Sequence, residues 1–234
     1  MTVGQSPSPG PAPGLRERKK QRTRTALLRT ALELFTTKGY EETTVDEITE
    51  AVEVSQRTFF RYFAGKEAAA FAVQAMTEQH FVEALRARPA GEGPFDALRN
   101  SVLETWDTIG EAITEIVPVD VYLRMLQVIE STPTLLAVHL RRSLDVEEYV
   151  ARLIAEREGL DVDADPRPRV VVACFGSVMR AAGQLWVQGH EPSLDSLRAL
   201  TVRYLDHLGP ALATDWRETS APTPRPPAKG TNSV

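Results

Sequence analysis

The chain has 234 residues, 42% of them apolar and 25% charged, with one cysteine and a net charge of −5. That is enough for one or two globular domains with a real core, and too apolar for a disordered chain. No stretch approaches 18 uninterrupted apolar residues, no apolar leader precedes a cleavage site, and Cys174 alone cannot form an internal disulfide, so the expected setting is reducing, cytoplasmic and without a membrane.

The charge is unevenly spread. Residues 16–66 carry 11 Lys and Arg against 8 Asp and Glu, while the rest of the chain carries 16 against 24. A basic head on an acidic body is the footprint of a DNA reader joined to a module that does not bind DNA.

Residues 1–14 are rich in Pro, Gly and Ser and read as a disordered tail. Leu15 to Lys38 reads as a first helix. It opens on a basic run, with seven positive side chains from Arg16 to Arg29, and continues with Leu28, Ala31, Leu32 and Phe35 on one face. Lys38-Gly39 is a C-terminal stop. Thr44 and Glu47 then make a capping box, and Val45, Ile48 and Val52 recur on one face of a short helix. Glu53-Val54 is a turn, and Ser55 caps a second short helix from Gln56 to about Tyr62. Phe59 and Phe63, four apart, must pack inward. Gln56, Arg57 and Thr58 lie in the first turn, where a recognition helix presents side chains to base edges.

Residues 23–70 resemble the N-terminal domain of TetR-family transcriptional regulators. The runs ALELFTTKGYEETTVDEI and AVEVSQRTFFRYFAGKEA carry the likeness. The resemblance implies an all-α fold of about nine helices. Residues 15–64 would form a helix-turn-helix DNA-binding domain, and residues 65–212 a ligand-binding and dimerisation domain ahead of a disordered tail at 213–234. It also implies roles. Gln56, Arg57 and Thr58 would read bases, because Arg suits guanine and Gln suits adenine through bidentate hydrogen bonds. Thr44, Ser55, Tyr62 and Lys66 would lie at the DNA backbone, with Arg22 and Arg24 of the basic arm. The family commonly has Tyr where this chain has Phe60, so one phosphate contact is lost and Arg61 stands beside it as a substitute.

The body reads as helices throughout, with no period-2 alternation. Gly65 to about Arg88 reads as one long helix, ended by the PAGEGP breaker at residues 89–94. Helices follow from Pro94 to about Ile116, from Val119 to Ser131, and from Pro133 to about Glu158, which Gly159 closes. Asp161, Asp163 and Asp165 imitate the start of a calcium loop. Pro166 stands where that loop needs Gly, and Val172 where it needs Glu, so a polar connection is expected there. Arg167 to Gln188 is apolar on more than one face, and a final helix runs from Pro192 to about Leu208. In the family the last two helices form a dimer bundle, which implies contacts through Phe175, Val178, Ala182, Leu197, Tyr204, Leu205 and Leu208.

An apolar cavity within residues 66–190 would be lined by Trp106, Ile109, Tyr122, Met125, Ile129, His139, Met179 and Trp186. The body also resembles actinobacterial members thought to sense acyl-CoA-like molecules, which would require Arg124, Arg141 or Arg180 to turn inward. No metal pattern links His80, His139, His190 and His207, no phosphate loop or nucleophile elbow occurs, and no cofactor is implied. The expected function is a homodimeric, sequence-specific regulator, a repressor released from double-stranded DNA by a largely apolar small molecule. The competing reading is a helical binding or scaffold protein without specific readout.

Overall fold

The computed structural model describes residues 14–189 and 193–213; the tail expectations and His190 fall largely outside these. Among the described residues there are ten helices and no strand. These are α1 (Leu15–Thr37), α2 (Val45–Ala51), α3 (Gln56–Tyr62), α4 (Lys66–Ala70), α5 (Ala72–Ala87), α6 (Pro94–Ile116), α7 (Val119–Ser131), α8 (Pro133–Glu158), α9 (Arg167–Val187) and α10 (Leu194–Ala213).

The head is α1–α3 packed around Leu27, Leu28, Leu32, Phe35, Ile48 and Phe59, all essentially without solvent exposure. Local chemistry starts and stops its helices. The Thr44 hydroxyl accepts from Glu47 N at 3.2 Å, while the Glu47 carboxylate accepts from Thr44 N at 2.9 Å, completing the capping box. Lys38 also donates to Glu47 and is the first cause holding that carboxyl down at about 2. Gly39 takes φ +108°, a backbone conformation that residues other than glycine rarely adopt, so this stop favours glycine. Glu53 turns the chain at φ 55° between α2 and α3.

One expectation fails here. The single helix read from Gly65 to Arg88 is two, interrupted at Phe71, where φ −95° and ψ 3° leave the helical region. This makes ten helices instead of nine. No Pro or Gly causes the break. Phe71 is 2% exposed, its ring is parallel to that of His139 at 6.5 Å, and the Arg142 guanidinium lies 5.3 Å from its centre. Anchoring in the body accompanies the kink.

In the body, α5 packs along α6, α8 along α9, and α9 along α10. The buried stripe of α6 is Leu98, Val102, Thr105, Ile109 and Ile113. Head and body share one apolar cluster, with α1 packed on α7, and polar contacts join them at a few points. Arg29 Nε of α1 donates to the Ile116 carbonyl at the end of α6 (3.1 Å), and the Thr134 hydroxyl donates to Glu41 (2.6 Å).

Candidate nucleic-acid interface and ligand cavity

The first turn of α3 is held by Ser55, whose Oγ accepts from Thr58 N at 3.3 Å and lies 3.1 Å from Thr58 Oγ1. Thr58 is therefore half-buried and engaged in the cap. Gln56 and Arg57 are exposed. Gln56 gives its amide N–H to Asp46 of α2, which leaves its carbonyl oxygen turned to other donors. Arg57 has no hydrogen bond or ion pair among the described residues, so its five donors remain open to an external acceptor. Phe60 is 53% exposed beside them, and Arg61 lies 4.9 Å over the Tyr62 ring with a hydrogen bond to its hydroxyl (3.2 Å).

The remaining head residues separate. Arg24 leans on Phe63, 5.6 Å from its ring centre, close to the end of α3. Arg22 does not join it: with Arg18 and Arg29 it lines a shallow groove against Ala51, Val52 and Glu115. Thr44 is exposed, with its hydroxyl in the capping box. Lys66 departs from the phosphate role implied by resemblance. Its ammonium donates to the carbonyls of Thr43 (2.7 Å), Tyr40 (2.8 Å) and Glu41 (3.4 Å) and sits 4.7 Å from the Tyr40 ring centre. An ammonium has three donors, and all three are used inside the chain. Lys66 pins the α1–α2 loop and so positions the cap at Thr44. Lys66→Met should lower head stability by ~1.5–3 kcal/mol, the range for charged hydrogen bonds. Thermal unfolding measures it; an unchanged melt would mean that water replaces the ammonium at no cost.

The body contains a cavity of ≈ 290 Å³ lined by residues of α5–α10. That is at the lower end of the ~300–1,000 Å³ usual for small-molecule sites. Six of the eight residues expected there line it: Trp106, Tyr122, Ile129, His139, Met179 and Trp186. Ile109 and Met125 do not; they are closed in the core at 0% and 2% exposure. Phe81 and Phe175 stack across the wall at 5.9 Å with planes 9° apart. Sequence reasoning missed Gln74, Glu78 and Glu130, whose polar side chains read as solvated faces.

The wall is polar at defined points. Glu78 pairs with Arg142 (2.9 Å), and Glu147 pairs with Arg180. Burial pushes the Glu78 carboxyl up against the pull of Arg142, and burial alone pushes Glu130 up. His139 is held down by burial first and then by Arg142 and Arg180, which favours its neutral form. Its Nδ1 accepts from Gln74 Nε2 at 3.0 Å, and its Nε2 faces Glu130 at 3.9 Å. The Tyr122 hydroxyl is pushed up to about 12 by burial and is hydrogen-bonded to Thr77. Of the arginines expected to receive an anion, only Arg180 turns inward; Arg124 pairs with Asp120 and Arg141 is exposed.

Four of the seven expected dimer contacts are buried inside the protomer instead. Phe175, Ala182, Leu197 and Leu205 are 7% exposed or less, because the core takes that face of α9 and α10. Val178, Tyr204 and Leu208 are half-buried. The outward face of α9 carries Val170, Ala173, Ser177, Ala181 and Leu185. Helix α9 is long and apolar enough to cross a membrane, yet only 22% of its most apolar stretch is buried within the chain.

Comparison with known proteins covers both halves. Residues 27–73 match the model of bacterial regulatory proteins of the tetR family, and residues 92–213 match the MftR C-terminal domain. The chain is 44% identical to the HTH-type transcriptional regulator TcmR of Streptomyces glaucescens, over 86% of this chain and 88% of that one. It is 28% identical to the mycofactocin biosynthesis transcriptional regulator MftR of Mycobacterium tuberculosis, over 70% and 79%. In fold it is similar to a TetR-family regulator from Syntrophomonas wolfei (TM-score 0.56, 16% identity, 80% of this chain and 95% of that one). SmeT, solved in complex with triclosan, is comparable (TM-score 0.53, 17% identity, 82% and 91%).

Proposed function

Because the chain belongs to the TetR family of bacterial regulatory proteins, a family of DNA-binding transcriptional regulators, we propose that it is a cytoplasmic repressor that a small molecule removes from its operator. It acts by binding and not by catalysis. The observation that carries this reading is the pairing of two features on one chain: a capped recognition helix with Arg57 free at its outer face, and a largely apolar cavity in the body.

In this reading the protein is a homodimer. A helix as apolar as α9 that leaves Val170, Ala173, Ser177, Ala181 and Leu185 exposed needs a cover, and its small residues Ala173, Ser177 and Ala181 allow a second copy to approach closely. A two-fold dimer would set two α3 helices into successive major grooves, ~34 Å or somewhat more apart. Arg57 is the bidentate reader, and Gln56 adds an acceptor whose direction Asp46 fixes.

Release runs through α5 and α6. Helix α6 carries Val102, Thr105 and Trp106 in the cavity wall and ends ten residues beyond Trp106 on the bond to Arg29, ~15 Å away at the helical rise. Helix α5 carries Gln74, Glu78 and Phe81 in the wall and joins α4, which packs on α1 of the head, through the kink at Phe71. A ligand that fits the cavity better when these helices have shifted would change the spacing of the heads. It can weaken DNA binding only by its differential affinity for the two arrangements, typically ~1–3 kcal/mol.

Selection of bound duplexes from a random library tests the DNA half. A two-fold-related motif should be enriched by the parent protein. Arg57→Ala should lose ~1–3 kcal/mol on that motif and relax one base position in each half-site. Salt-sensitive retention without a motif would remove specific readout from the proposal.

A further inference from the structure

The polar atoms of the cavity wall narrow the ligand. Trp106 Nε1, a donor, and Gln74 Oε1, an acceptor, are both buried and both lack a hydrogen-bond partner. Buried polar groups in folded proteins are nearly always satisfied, so each exception needs an explanation. The second tryptophan in the wall shows the contrast. Trp186 Nε1 donates to Ser196 Oγ at 2.9 Å and to the Ser193 carbonyl at 3.2 Å. Gln74 is fixed by its bond to His139, which leaves the other end of its amide in the cavity.

The charges of the wall are already used. Arg180, the arginine in the lining, answers Glu147, and Arg142, behind the wall, answers Glu78 while its buried Nε keeps no partner, so no lining cation is left for a carboxylate or phosphate. Glu130 faces His139 Nε2 at 3.9 Å, and burial pushes its carboxyl up, toward the uncharged form that gives a cation little to answer. What remains is aromatic surface from Phe81, Phe175, Trp106 and Trp186, with one orphan donor and one orphan acceptor. Aromatic walls favour rings that stack offset or edge-on against them.

Resting on the reading of this cavity as the effector site, we propose that the effector is a neutral, flat, multi-ring molecule. It carries a carbonyl or ether oxygen to accept from Trp106 and a hydroxyl or N–H to donate to Gln74. Binding satisfies both buried atoms at once. A pure hydrocarbon satisfies neither, and an anion or fixed cation meets no free counter-charge suited to it.

The test is calorimetric titration of the full chain at about pH 6 with three probes of equal ring number: 2,6-dihydroxyanthraquinone, whose hydroxyls are not tied to its own carbonyls, anthracene and 10-methylacridinium. The dihydroxyanthraquinone should bind once per chain, at least about tenfold tighter than either other probe. Trp106→Phe and Gln74→Leu should each cost it about tenfold or more while leaving anthracene affinity unchanged, the effect of stranding one polar group of the ligand. Thermal unfolding confirms that each variant is folded, and either variant suffices alone. Tightest binding of methylacridinium, lost in Glu130→Gln, would overturn the neutral ligand and leave the cavity as the effector site. Equal affinity for anthracene and the dihydroxyanthraquinone, or no effect of both variants, would overturn the polar pair and likewise spare the cavity. Binding of none of the three would remove both the ligand class and the effector-site reading.

Discussion

Phe59→Ala is expected to melt the head while the body stays folded. The Phe59 ring has no solvent exposure, lies 5.4 Å from the ring of Phe63, and meets Phe60 edge-on at 5.5 Å. Truncation of a buried phenylalanine costs ~3–5 kcal/mol through lost transfer energy and the cavity left behind. The head has few large side chains to close that gap: Leu27, Leu28, Leu32 and Phe35 of α1 and Ile48 of α2 are already packed in the core. Thermal unfolding followed by circular dichroism should split into two transitions, with the earlier one accompanied by loss of DNA binding. A single transition displaced by less than ~1 kcal/mol would show that α3 draws its stability from elsewhere.

Ala181→Arg should act on assembly and leave the protomer intact. Ala181 lies on the outward face of α9, four residues from Ser177 and from Leu185. An exposed substitution changes protomer stability by ~0.5 kcal/mol or less. Across a two-fold interface, however, each substitution appears twice, and two guanidinium groups would be forced into a face built from small apolar residues. The variant should sediment as a monomer where the parent is a dimer. Its affinity for a two-half-site duplex should then fall by the ~10²–10⁴-fold that linkage of two heads contributes. A variant that remains dimeric would place the interface on another surface.

Much of the head was legible because its boundaries are set by chemistry between near neighbours. The Thr44–Glu47 box, the Ser55 cap and the positive φ at Gly39 each involve residues at most four apart. The same holds in the body for the proline that opens α8 and the left-handed Gly159 that closes it. The all-α class followed from the absence of period-2 alternation and from period-3.6 patterning with a breaker at residues 89–94. These readings needed no knowledge of what packs against what.

The cavity was legible only in part. Trp106, Tyr122, Ile129, His139, Met179 and Trp186 were identifiable as large side chains on inward faces, but so were Ile109 and Met125, which fill the core. An amphipathic stripe marks what is buried and not whether a void lies next to it. Gln74, Glu78 and Glu130 were invisible for the opposite reason. A polar residue on a helix reads as solvent-facing unless its partner, here His139 or Arg142, is known to lie across from it.

By itself, then, the sequence determined the helices, their caps, the basic head and the first turn of the recognition helix, because those depend on interactions along one stretch of chain. Only the tertiary structure decided three things. It broke the expected long helix at Phe71, where burial against His139 and Arg142 attends a kink with no Pro or Gly. It turned Lys66 from the surface to three backbone carbonyls more than twenty residues earlier in the chain. It also divided the apolar circumference of α9, giving Phe175 and Ala182 to the interior and Ala173 and Ala181 to the outside. A helix apolar on more than one face carries little periodic signal for that choice; it is made by which neighbours, α8 and α10, pack on its surface.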